Sequence, residues 1–302
     1  MENHPHWLKS LLNSEALPAE FGPLAVDFYL PLAQSIVSWV QHKENRTNPL
    51  VVGINGAQGT GKSTLSKVLA LALEHEHQLS CAIISIDDIY LTHQERVDLS
   101  NLVHPLLQTR GVPGTHDISM GIDLITQLKN KKPVKLPLFD KAVDDRAPLD
   151  KWISCDTPVD VILFEGWCVG AVAQMPEDLT DPCNDLEESE DKDAAWRTYA
   201  NRQLAGPYSE LFSLIDRLVM LKAPDFECVY QWRSTQEEKL RRRVVEEDSQ
   251  GHSIMNDGQL KKFIMHYERL TQWMFKEMPL RADCVLELDH DHHIVRANYS
   301  ST

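Results

Sequence analysis

The chain has 302 residues, of which 42% are hydrophobic and 25% charged, and a formal net charge of −15. These are globular proportions that exclude a largely disordered chain, and the acid excess argues against a nucleic-acid partner. No stretch approaches the 18 consecutive apolar residues of a spanning helix, and the stretch MENHPHWLKSLLNSEALPAE lacks the cationic start and apolar core of a secretory signal.

In chain order, residues 17–44 place Leu24, Phe28, Leu32, Ile36, Val37 and Val40 near helical spacing. They are read as one or two helices within an N-terminal extension over 1–47. LVVGI (50–54) reads as a buried strand. After a glycine-rich turn, Leu65, Val68, Leu69, Ala72 and Leu73 fall on one face of a helix. AIISI (82–86), VILF (161–164), LVMLK (218–222) and VLEL (285–288) read as four more buried strands. Strands without polar alternation, separated by helical stretches, predict a parallel sheet covered on both faces. Residues 176–193 hold nine acids and one lysine, a net −8, and read as an exposed acidic loop insertion. Asp225, Cys228, Val229 and Trp232 begin a helix in a region over 225–250 read as a lid. Leu260, Phe263, Ile264, Tyr267, Leu270 and Met274 mark an amphipathic helix. The whole of 1–302 is read as one domain. Six scattered cysteines without a CxxC pair fit structural thiols in a reducing cytoplasm. HDHH (290–293) is read as a solvated turn.

The strongest motif is Gly56-Ala57-Gln58-Gly59-Thr60-Gly61-Lys62-Ser63, followed by Thr64, which fits GxxxxGK[ST] between a strand and an amphipathic helix. Its glycines let successive backbone N–H groups face phosphate oxygens, and the helix N-terminus adds partial positive charge. Lys62 is placed to reach the β- and γ-phosphates, and Ser63 to bind Mg2+. This makes the protein an NTP binder. Glu165, at the tip of VILF, is read as the second Mg2+ element, because a buried strand does not end on a carboxylate without a partner. Asp87 and Asp88 follow the strand 82–86, at the end of the sheet where ligands bind. Asp87 comes directly off the strand and is taken as the general base; Asp88 is expected to point away or cap the next segment.

No NKxD is present, which weakens a guanine-specific reading, and the DxxG from Asp248 to Gly251 lies in a charged stretch. Arg233, followed by Lys239, Arg241, Arg242 and Arg243, is placed to close over the transferring phosphoryl group. The pairs Glu237–Arg241 and Glu238–Arg242 leave a solvated helix face equally open for that cluster.

Together GINGAQGTGKST, SIDDIYLT, RGVPGTHD, LPLFDKAVDDRAP, VILFEGW and VYQWR, in this order, resemble the D-glycerate 3-kinases. These belong to the phosphoribulokinase, uridine kinase and pantothenate kinase group of P-loop kinases. The resemblance runs from about residue 50 to 288. It implies an α/β, three-layer P-loop NTPase fold with a mostly parallel five-stranded sheet, helices on both faces and N-terminal helices. It also implies ATP and Mg2+ as cofactors, a base at Asp87 and a metal carboxylate at Glu165. Acceptor binding is implied for the segments holding Asp87, Tyr90, Arg110, His116, Asp117, Lys141 and Arg146, and a lid around Trp232 and Arg233. Glycerate carries a carboxylate and two hydroxyls, and its site needs a fixed cation. Asp117 as a helix cap and Asp144–Arg146 as a surface turn stay open as structural roles. The expected reaction is phosphorylation of D-glycerate to 3-phospho-D-glycerate. The alternatives are a kinase for pantothenate, uridine or a sugar phosphate, and a regulatory P-loop ATPase.

Overall fold

The computed structural model describes residues 5–18, 20–43, 48–156, 158–246 and 255–300; the side chains of 236 and 239–246 lie outside that description. Each apolar run forms a strand: β1 Leu50–Gly56, β2 Cys81–Ser85, β3 Val161–Gly166, β4 Arg217–Lys222 and β5 Cys284–Leu288. A sixth, β6 Ile294–Tyr299, pairs antiparallel with β5, so the sheet order is β6-β5-β4-β1-β3-β2. The expected five-stranded sheet is thus the parallel part of a six-stranded one. Only Ile294 of β6 is buried, so this edge strand offers no apolar run to read.

Helices cover both faces. On one lie α1 His6–Ser14, α2 Leu30–His42 and α3 Lys62–His77. A short turn Phe21–Leu24 and a π-helical turn Ala25–Tyr29 lead into α2. Leu8, Leu32, Ile36, Leu65 and Leu69 are fully buried together there, so the amino-terminal helices are part of the core layer. The remaining helices are α4 His93–Leu102, α5 Ile118–Lys129, α6 Asp185–Glu190, α7 Ala195–Ala205, α8 Pro207–Phe212, α9 Phe226–Glu246 and α10 Asp257–Glu277. Ile125 of α5, Tyr208 and Leu211 of α8, and Leu270 and Met274 of α10 pack on the other face. The result is the three-layer α/β arrangement expected.

The register positions the site. β1 lies between β3 and β4, with Ile54 opposite Glu165 and Asn55 opposite Gly166. β2 brings Ser85 opposite Glu165. The carboxyl ends of these three strands therefore converge where α3 begins.

The acidic run 176–193 is largely exposed, as its composition suggests, but it is anchored and partly helical instead of a free loop. Asn184 caps α6 by accepting from Glu187 N–H at 3.1 Å. Glu187 is 1% exposed and accepts from Arg269 Nε at 2.7 Å and from a second Arg269 nitrogen at 2.6 Å. Asp191, also buried, accepts from Arg197 at 2.9 Å. Leu186 joins Leu106, Leu107, Val112 and Trp196 in a small core of its own. The segment is docked because its buried carboxylates meet two arginines, Arg197 six residues beyond Asp191 and Arg269 82 residues beyond Glu187.

His290–His293 form the exposed turn between β5 and β6, as expected. The six cysteines are thiols. Among the described residues, no helix is long and apolar enough to cross a membrane.

Candidate active site

The turn after β1 has the geometry its sequence dictates. Gly61 takes φ 88° just before α3, a conformation that a β-carbon disfavours. A β-carbon at Gly56 would sit 2.6 Å from Thr60 Oγ1. Thr60 Oγ1 and Lys62 Nζ both donate to the Ala57 carbonyl, at 2.8 and 3.0 Å, and Gln58 Oε1 is buried without a hydrogen-bond partner. Ser63, in the first turn of α3, donates to Glu165 Oε1 at 3.0 Å, and Thr64 follows it in the helix. Burial pushes the Lys62 ammonium below its usual range, against the pull of Glu165 and Asp87. A curled backbone at a helix N-terminus with one lysine beside it fits a polyphosphate. The hard oxygens of Ser63 and Glu165 fit Mg2+.

Past β2 the chain makes a 3-10 turn, Ile86–Ile89, capped by the preceding Ser85, whose side chain accepts from Asp87 N–H. Asp87 Oδ1 accepts from the Tyr90 hydroxyl and Oδ2 from Lys141 Nζ, both at 2.7 Å. Burial alone would raise the Asp87 carboxyl; the Lys141 ammonium and the Tyr90 hydroxyl outweigh it and hold it down at about 2. Asp88 does not point away as expected. It lines the same cleft, accepts from Phe139 N–H at 3.1 Å and is pushed up by burial.

These groups open onto one cleft of about 750 Å³, which Arg110, Lys141 and Arg233 also line. Arg110 pairs with Asp144 and lies over the Phe139 ring at 5.7 Å. Arg233 pairs with Glu237 at 2.9 Å and sits 6.0 Å from the Phe263 ring centre. The side chains of Lys239, Arg241, Arg242 and Arg243, and the DxxG from Asp248 to Gly251, lie outside the described residues.

Three residues expected to bind the acceptor do not line this cleft. Arg146 donates to the Tyr90 carbonyl at 3.0 Å and to Asp117 at 3.2 Å. Asp117 caps α5 by accepting from Met120 N–H at 3.0 Å, so its capping reading holds. His116 stacks on the Tyr90 ring at 4.6 Å and shares a 2.6 Å hydrogen bond with the Tyr208 hydroxyl through Nδ1. Burial pushes its imidazole down to about 3. All three brace Tyr90 or its surroundings from behind, because loop side chains turn toward partners that the sequence does not reveal.

The sequence reading did not assign Trp167, Phe263 or Tyr267 to the site, yet all three line the cleft. Trp167 Nε1 donates to the Gly111 carbonyl at 2.9 Å and the Tyr267 hydroxyl to the Arg110 carbonyl at 3.0 Å. Trp167 and Tyr267 thus hold the loop that carries Arg110. The signal was the polar tip on a core aromatic, which seeks a partner when buried.

No family model matches the chain. It is 32% identical over 242 residues to an uncharacterized kinase of Schizosaccharomyces pombe, mug58, covering 75% of this chain and 80% of that one. It is 28% identical over 268 residues to the chloroplastic D-glycerate 3-kinase of Arabidopsis thaliana, covering 83% of this chain and 55% of that protein. The structure matches that of a D-glycerate 3-kinase from Cryptococcus neoformans with a TM-score of 0.70 at 26% identity, over 90% of this chain and 97% of the other. Sequence likeness over most of the chain and a shared fold thus agree with the phosphate cradle, and the chain belongs to the family of P-loop kinases that includes D-glycerate 3-kinase.

Proposed function

We propose that this kinase transfers the terminal phosphoryl group of ATP to the primary hydroxyl of D-glycerate, giving 3-phospho-D-glycerate. The observation that carries this reading is that Arg110 and Lys141 face the same cleft as Asp87 and the cradle. Cations suited to a carboxylate thus stand beside a base suited to a hydroxyl. The names of the Arabidopsis and Cryptococcus relatives supply the acceptor.

The cradle amides and Lys62 hold the β- and γ-phosphates, with Lys62 turning to them from the Ala57 carbonyl. Ser63 and Glu165 are the residues that would hold Mg2+, which when bound supplies neutralising charge to the phosphate oxygens. Arg110 and Lys141 orient the carboxylate. Asp87 takes the hydroxyl proton as the oxygen–phosphorus bond forms and the bond from the γ-phosphorus to the bridging oxygen breaks. Arg233 faces the transferring group. Arg146, His116 and Asp117 act through Tyr90 and the loops instead of touching the acceptor. Positioning and electrostatics supply most of the acceleration, since such transition states are loose.

ADP release with D-glycerate, L-glycerate, pantothenate, uridine and no acceptor tests this. D-glycerate is expected to give the highest kcat/KM. Preference for pantothenate or uridine, or hydrolysis indifferent to every acceptor, would reject it.

A further inference from the structure

Lys141 differs from the other cations of the cleft in what is fixed and what is free. Its backbone is pinned from both sides. The short strands Phe139–Asp140 and Asp145–Arg146 pair as a hairpin with Lys141 at its turn. Phe139 N–H is held by Asp88, the neighbour of Asp87. At the other side of the turn, the Asp144 carbonyl accepts from Arg96 at 2.8 Å and its carboxylate pairs with Arg96 at 2.9 Å; the Arg96 side chain is 1% exposed. The Lys141 side chain, by contrast, is 57% exposed and reaches back to Asp87. Arg110 is held by Asp144 and the Phe139 ring.

Asp87 has one partner of each kind. Tyr90 is locked, its ring stacked on His116 at 4.6 Å and edge-on to Phe139 at 5.2 Å, so its hydroxyl stays on Oδ1. The ammonium on Oδ2 hangs from a flexible four-carbon stem. A carboxylate bound to an ammonium is a poorer proton acceptor than the same carboxylate without it. An anionic acceptor brings a second carboxylate into competition for the same ammonium; a neutral acceptor or water does not.

We infer that Lys141 biases catalysis toward a negatively charged acceptor: its ammonium occupies Asp87, and the carboxylate of the acceptor draws it away so that Asp87 can take the hydroxyl proton. This rests on the reading of the site given under the proposed function. The step balances as before: the proton goes from the hydroxyl to Asp87, the acceptor oxygen bonds to the γ-phosphorus, and ADP leaves with the electron pair of the broken bond. The substrate class selected is a small hydroxy acid, and the same device suppresses phosphoryl transfer to water.

The test compares the full-length wild type with Lys141→Met and Lys141→Arg, measuring ADP release without acceptor, with glycerol and with D-glycerate. Glycerol keeps a primary hydroxyl and lacks the carboxylate. In Lys141→Met, acceptor-free and glycerol-dependent turnover are expected to rise about two- to fivefold, the range open to an ion pair at this exposure, while kcat/KM for D-glycerate falls. Lys141→Arg is expected to restore much of the discrimination. Thermal unfolding at the wild-type temperature shows that the variants are folded. A joint fall of all three rates would overturn the inference and make Lys141 a stabiliser of the phosphoryl group. A fall with D-glycerate alone, the other two rates unchanged, would overturn it in favour of a plain clamp. Wild type inactive toward D-glycerate would reject the proposed acceptor; the acceptor-free comparison still decides the role of Lys141.

Discussion

Replacing His116 by Asn separates a neutral support beneath the site from a ligand for the acceptor. The side chain is 4% exposed, and its Nε2 is buried without a hydrogen-bond partner. Burial lowers the imidazole from 6.5 to about 3, with Asp87 pulling weakly the other way. The folded protein therefore keeps it neutral where the unfolded chain already binds the proton. The sign follows: its contribution to stability is complete above pH 6.5 and is lost as pH falls from 6.5 toward about 3. Between about pH 7.5 and about pH 5 the loss is roughly 2 kcal/mol, a melting shift of the order of 3–4 °C in a protein of this size. Asn can accept from the Tyr208 hydroxyl in place of Nδ1 and cannot take a proton. His266 is buried with its imidazole also lowered, and it titrates in both proteins, so the difference between them isolates His116. Urea unfolding across this range is the assay. The wild type should lose about 2 kcal/mol more than His116→Asn on acidification. Parallel stability curves would refute the reasoning, and a raised acceptor KM with no change in pH slope would return His116 to the substrate.

Lys62→Ala should reduce phosphoryl transfer by roughly two orders of magnitude or more; wild-type turnover in that variant would remove the cradle from the scheme. Asp87→Asn should lower kcat by about 10²- to 10⁴-fold with little change in KM for ATP, and the opposite pattern would assign Asp87 to the nucleotide. Arg269→Met removes the two shortest side-chain partners of Glu187, whose side chain is 1% exposed, leaves Arg197 at 4.0 Å, and should cost about 1.5–3 kcal/mol in urea unfolding. A loss under about 1 kcal/mol would mean that residues 176–193 are not docked in solution.

What was legible in the sequence was local or imposed by the sheet. The cradle is contiguous, and its conformation follows from glycines and a helix start within a few residues. Asp87 and Glu165 could be placed because parallel strands bring their carboxyl ends together, and the pairing of Ser85 with Glu165 bears this out. Edge strand β6 faces solvent and left no apolar run. The loop residues between 110 and 146 failed differently. Arg110, Lys141 and Arg146 are alike as charges between punctuating glycines and prolines, yet two face the cleft and Arg146 turns to the Tyr90 carbonyl. That choice is made by acceptors 56 and 29 residues away in the chain.

The acidic run carries the same lesson to the function. Counted in a window it is a net −8 and belongs in solvent; in the fold its central carboxylate, Glu187, lies between Arg269 and Arg197. A buried charge is tolerated only when its partner is close, and here the partners come from α7 and α10. Two residues before Arg269 on α10 stands Tyr267, which holds the Arg110 carbonyl from inside the cleft. One helix thus anchors the acidic segment through Arg269 and the cation-bearing loop through Tyr267. The apolar period that predicted α10 as an amphipathic helix was right about its packing. It could not show that these two polar tips tie the acidic segment and the loop that carries Arg110 to the same helix.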